Sequence, residues 1–185
     1  MKINTLIIFI TAFLIACSGS SDPVNEDNDT STDSTGIIEY DLDEERISAV
    51  EFNDQLSLIQ QQVYDQINQL FTSEPGTVQQ NLKNTKFEIE IKQNDLDRME
   101  VYEGGEAFKN GVRDLLSFYQ TELSGGFAEI VPLLEKNGEA RTETEINRLN
   151  EYDKQFAMKE AEFFAKIDSA QTAFAKANQI QIIDL

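Results

Sequence analysis

Between Thr142 and Ala177 the chain carries two rows of residues spaced seven apart. One row is Leu149, Phe156, Phe163, Ala170 and Ala177; the other is Ile146, Asp153, Glu160, Ile167 and Phe174. A seven-residue repeat keeps each row on one stripe of an α-helix, and two adjacent stripes form a packing seam. Thr142-Glu143-Thr144-Glu145 precedes them as a capping box, in which the threonine hydroxyl and the glutamate carboxylate satisfy end amides. These signals predict a helix of about 35 residues, ~50 Å long at ~1.5 Å per residue. Its apolar face has to be buried against other long helices.

Those partners are visible upstream. Phe52, Leu56, Ile59, Val63, Ile67 and Leu70 make one stripe, stopped by Glu74-Pro75-Gly76. Val78, Leu82, Ile89, Leu96 and Met99 make a second, within a segment from Thr77 to about Tyr102 that ends at Gly104-Gly105. Phe87 to Lys92 alternates in the manner of a strand, but its polar, helix-tolerant flanks favour helix. Phe108, Val112, Leu115, Tyr119 and Leu123 make a third stripe; Gly111 inside it implies close backbone packing. Gly125-Gly126 breaks that helix. Phe127 to Glu135 is a short apolar segment around Pro132, closed by Asn137-Gly138. The expected fold is all-α, an up-down antiparallel bundle of about four long helices over residues 46–185. The terminal Ile180-Gln181-Ile182-Ile183-Asp184-Leu185 could pack back on it.

Asp153 and Glu160 interrupt the apolar rows. A functional reading places both inside the bundle, as oxygen ligands for a hard cation or as a polar pocket floor. The favoured reading is that helical drift of ~20° per heptad carries their row toward solvent, while Tyr152, Ala157 and Phe164 take over the buried side. Phe52, Phe108, Phe156, Phe163 and Phe174 are expected in the core, and Phe163→Ala should then be strongly destabilising. Phe164, one residue off the seam, is the candidate for a contact surface.

Composition removes whole classes of function. The chain has 34 acidic and 15 basic residues, a net charge of -19 and no histidine. Such a charge repels phosphate backbones, so nucleic acid is not an expected partner. Without histidine there is no Ser-His-Asp triad, no Cys-His pair, no histidine-ligated metal and no di-iron bundle site. Glycine motifs that cradle phosphates are lacking, and so is tryptophan to support a sugar-cleaving carboxylate pair. Asp27-Asn28-Asp29 with Asp33 begins a calcium-loop spacing, but Thr32 and Ile38 stand where that loop needs glycine and glutamate. No catalytic residue, metal or cofactor is expected, and the chain is read as a non-enzyme.

The other informative region is the start. Met1-Lys2 precedes an apolar run from Leu6 to Ala16, too short for the roughly 20 residues of a bilayer span. Leu14-Ile15-Ala16-Cys17 resembles the bacterial lipobox, and Cys17 is the single cysteine. The resemblance implies a signal peptide over 1–16, cleavage between Ala16 and Cys17, and acyl chains on Cys17 as the membrane anchor. Ser18 does not resemble the aspartate that retains proteobacterial lipoproteins in the inner membrane, so the outer membrane is the expected address. Residues 17–45 follow as a lipidated cysteine and an acidic spacer with ten acids and no base. That composition predicts a disordered tether, with Ile37-Ile38 and Tyr40 as places where it could dock. The acidic stretch resembles the surface-export signal of Bacteroidota lipoproteins, the other reading being plain solvation. Asp33-Ser34-Thr35 resembles the O-glycosylation pattern of that phylum at Ser34, although Asp168-Ser169-Ala170 matches it too.

Phe52-Asn53-Asp54-Gln55 with Gln60-Gln61, and Gln171 to Ile180, are similar to helical surface lipoproteins of Bacteroidota and spirochaetes. That resemblance carries over no catalytic residues. Two expectations follow: an envelope lipoprotein whose bundle is a non-catalytic interaction module for a protein or surface partner, or a lipid-anchored accessory that binds a small ligand between helices. Oligomeric state is left open.

Overall fold

The computed structural model describes residues 47–181, and their regular structure is all helical. Five helices pack together: α1 (Ala49–Phe71), α2 (Val78–Arg98), α3 (Glu106–Ser124), the short α4 (Gly126–Leu134) and α5 (Glu143–Ala177), with a 3-10 turn at Gly138–Ala140 before α5. Phe87 to Lys92 lies within α2. Residues two apart on a helix point almost oppositely, so Ile89 is buried while Phe87 is 60% exposed. The segment mimics strand alternation without forming a strand.

α3 is central and packs on α1, α2, α4 and α5. α1 and α5 run in opposite directions: Phe52 near the start of α1 meets Phe174 near the end of α5 at 5.3 Å between ring centroids. At the other end Phe71 meets Phe156 at 4.9 Å. The backbones of α1 and α5 do not approach as the other neighbours do. Long side chains bridge them instead, with Tyr64 edge-on to Phe164 at 5.7 Å. A polar link joins the same pair: Gln171 Nε2 donates to Asn53 Oδ1 at 3.0 Å and to Ser57 Oγ at 3.1 Å.

Helix ends are tied down by side chains. Thr142 and Glu145 form the expected capping box on α5, and Ser48 and Glu51 form a second on α1. The Glu135 carboxylate accepts from the Gly76 and Gln79 amides at the start of α2, where the helix dipole favours negative charge. The Arg141 guanidinium donates to the carbonyls of Leu133, Leu134 and Lys136 at the end of α4. Lys109, only 4% exposed, donates from Nζ to the Met99 carbonyl just past α2. Burial lowers its pKa, and the C-terminal dipole of α2 compensates the charge.

Two glycines set close approaches. A Cβ on Gly111 would lie 3.1 Å from Ile167 Cγ1, which accounts for glycine where α3 meets α5. A Cβ on Gly105 would fall against the buried Phe52 ring, while Gly104 takes the left-handed φ of +78° that begins the turn into α3. α5 ends with Gln179 at φ 57° and the Ile180 amide bonded to the Ala175 carbonyl at 2.9 Å. This is a Schellman-type closure with a non-glycine residue in the left-handed position. Ile180 packs against the core; Ile182 to Leu185 lie outside the described residues.

Of the five expected core phenylalanines, Phe52, Phe108, Phe156 and Phe174 are buried. Phe163 is only half-buried, stacked on Phe118 at 5.0 Å with the Lys166 ammonium above it. Phe164, expected as a contact surface, is also half-buried and is covered by Tyr64. Phe52→Ala should therefore cost about 3–5 kcal/mol, and Phe163→Ala roughly half of that, measured by urea unfolding. Equal losses would contradict the different burial of the two rings. Gln179→Gly should raise stability by ~0.5–1 kcal/mol by relieving the left-handed strain, read as a higher urea midpoint at unchanged m-value.

Candidate functional site

Asp153 and Glu160 do not slide to solvent as the drift of a lone helix predicts; both are half-buried. The reason for Glu160 lies on α3. The fully buried Tyr119 ring presents its hydroxyl to Glu160 Oε1 at 2.6 Å. That bond gives the tyrosine an acceptor and the carboxylate a donor, so neither is stranded in the bundle. Burial raises the pKa of Glu160 above the usual carboxylate value; the Tyr119 hydrogen bond opposes the rise and the charge of Asp153 adds to it. Burial and the Glu160 charge push the Tyr119 hydroxyl far up, and burial raises Tyr64 on α1. Glu160 is thus a polar link between α3 and α5.

Asp153 lies two turns away, in the wall of a groove of about 270 Å³ at one end of the helical unit. Phe71 of α1, Ile130 and Leu134 of α4, and Ile146, Leu149 and Tyr152 of α5 give the groove its apolar wall; Arg141, Asn150 and Asp153 are its polar members. The short α4 creates this space. Gly126 starts it so close to Tyr152 that a Cβ would stand 2.7 Å from the ring, and nine residues on, the chain turns off toward Arg141. The first turns of α5 are left only partly covered, with Ile146 42% exposed. Burial raises the pKa of Asp153, with no cation offsetting it. No hydrogen-bond or ion-pair partner for its carboxylate occurs among the described residues. Beside the groove, Tyr152 donates to Glu122 at 3.5 Å and Lys159 pairs with the same carboxylate at 2.7 Å.

The two acids are therefore near each other but differently engaged. Glu160 is committed to Tyr119, whereas Asp153 faces the groove. No group of three or more metal-ligating side chains occurs among the described residues. Ala16, Cys17 and Ser34 lie outside the described residues. Tyr119 falls on an apolar stripe of the sequence, where its being the one tyrosine of α3 is the sole signal of its polar role, and nothing in the local sequence marks Lys109.

No family model, no curated protein and no solved structure matches the chain.

The Tyr119–Glu160 pair yields a two-part prediction. Glu160→Gln keeps an acceptor for Tyr119 and should change stability by no more than ~1 kcal/mol, whereas Glu160→Ala strands a buried hydroxyl and should cost about 1–3 kcal/mol. Because the folded pKa is raised, the stability Glu160 contributes is fully present below its ordinary 4.5 and is lost as pH rises through the folded value. The wild type should lose ground to Glu160→Gln as pH rises from 4.5, measured by denaturant unfolding across that range. A difference independent of pH would contradict the burial of this carboxyl.

Proposed function

We propose that the protein is a lipid-anchored lipoprotein of the bacterial cell envelope, whose helical unit serves as a non-catalytic interaction module. The observation that carries this reading is Leu14-Ile15-Ala16-Cys17, with the only cysteine of the chain at the position the lipobox requires. Acylation needs a thiolate nucleophile, and two or three chains at ~0.8 kcal/mol per buried methylene hold a protein where one chain holds only marginally. No helix among the described residues is long and apolar enough to cross a membrane.

In this reading the four long helices alternate in direction as an up-down bundle, with α4 as a plug between α3 and α5. The interaction module would act on a protein or surface partner. The outer membrane is the proposed address, with exposure at the cell surface favoured by the acidic stretch after Cys17, and Ser34 is a proposed O-glycosylation site.

Cys17→Ala should abolish incorporation of a labelled fatty acid and leave the protein either soluble or as uncleaved precursor. Undiminished labelling in that variant would refute the anchor.

A further inference from the structure

The end groove combines three properties that together specify a ligand chemistry. The first is an apolar wall left uncovered: Ile146 belongs to the α5 seam yet is 42% exposed at the rim, beside Leu149, Ile130 and Leu134. The second is size. At ~30 Å³ per water-sized group, 270 Å³ holds about nine such groups, just below the ~300–1,000 Å³ of pockets for drug-sized molecules. An occupant is therefore on the order of ten non-hydrogen atoms.

The third property is charge. Arg141 spends its guanidinium on three carbonyls at the end of α4. Three further bases near this end are matched to other acids, Lys136 to Glu145, Arg148 to Glu129 and Lys159 to Glu122, and Lys154, next to Asp153 in the chain, is exposed to solvent. Asn150 is neutral. The Asp153 carboxylate has no hydrogen-bond or ion-pair partner among the described residues and is half-buried against apolar surface, while the Arg141 charge is held at the end of α4 by those carbonyls. A partly desolvated carboxylate without a partner is unfavourable, and a cation brought by a ligand relieves it. Phe71 and Tyr152 add aromatic surface to the apolar part of the same lining. The net charge of -19 attracts cations and disfavours anions at long range.

We propose that this groove is a binding site for a small amphiphilic organic cation, with an apolar stem seated between α4 and α5 and an ammonium group paired with Asp153. The inference goes beyond the anchoring role and stands independently of whether Cys17 is acylated.

The test uses phenethylammonium as probe, with 2-phenylethanol and 3-phenylpropionate as neutral and anionic controls of similar shape, titrated into the full chain and followed by amide NMR shifts. Phenethylammonium should give saturable shifts centred on Ile130, Leu134, Ile146, Leu149 and Asn150. The alcohol should bind ~10-fold or more weakly, and the acid should give no saturable shift. Asp153→Asn, which keeps shape and removes a strained charge, should reduce phenethylammonium to the affinity of the alcohol. Glu160→Gln should stay within about twofold of wild type, since that carboxylate is committed to Tyr119. Equal binding of amine and alcohol, undiminished amine binding in Asp153→Asn, shifts centred elsewhere, or no saturation at all would overturn the proposal. Should Asp153→Asn fail to fold, the comparison of the three probes on the wild type decides alone.

Discussion

Phe156 stands where the helices of this protein are locked to one another. Its ring lies 4.9 Å from Phe71 on α1, 5.3 Å from Phe118 and 6.0 Å from Tyr119 on α3, and 6.1 Å from Tyr152 one turn earlier on α5. Phe71 extends the cluster to Phe127 on α4 at 5.2 Å. Each ring buries a large apolar area, and tilted or edge-on pairs add about 0.5–1.5 kcal/mol beyond it. One interlocked cluster therefore joins α1, α3, α4 and α5, and the position of α4, which opens the groove, depends on it.

A second cluster, of Phe52, Phe108, Tyr102 and Phe174, closes the opposite end. Between the two, α1 and α5 keep their backbones apart, and the gap is spanned by Tyr64 with Phe164 and by Gln171 with Asn53 and Ser57. Hydrogen bonds are directional where apolar packing is not, so this link fixes the rotation of α5 about its axis. That rotation aims Glu160 at Tyr119 and leaves Asp153 at the groove. The polar bridge and the candidate site are consequences of a single setting of α5.

Much of this could be read from the sequence because the relevant signals are local. The stripe from Phe52 to Leu70, the breaks at Gly104-Gly105 and Gly125-Gly126, and the capping box at Thr142 depend on near neighbours and appear as expected. The fate of Asp153 and Glu160 does not. Drift along one helix predicts exposure for both, but the deciding partner of Glu160, Tyr119, is 41 residues away. Lys109 sits at the rim of an apolar stripe, and only the end of another helix explains its burial. Phe163 follows the heptad yet lies half-buried, since the periodicity of α5 says nothing about how far its neighbours reach around it. The same blindness hides the groove, which exists because α4 is short.

The first and last helices meet across a separation of 118 residues at Gln171 and Asn53. A chain made from its N-terminus has α1, α2 and α3 available long before α5, and until α5 arrives Phe52 lacks Phe174, and Phe71 lacks Phe156 and Tyr152. Closing so long a loop carries an entropic cost that only the completed aromatic clusters offset. Ribosomal synthesis therefore leaves the growing chain without its lock until its last helix emerges.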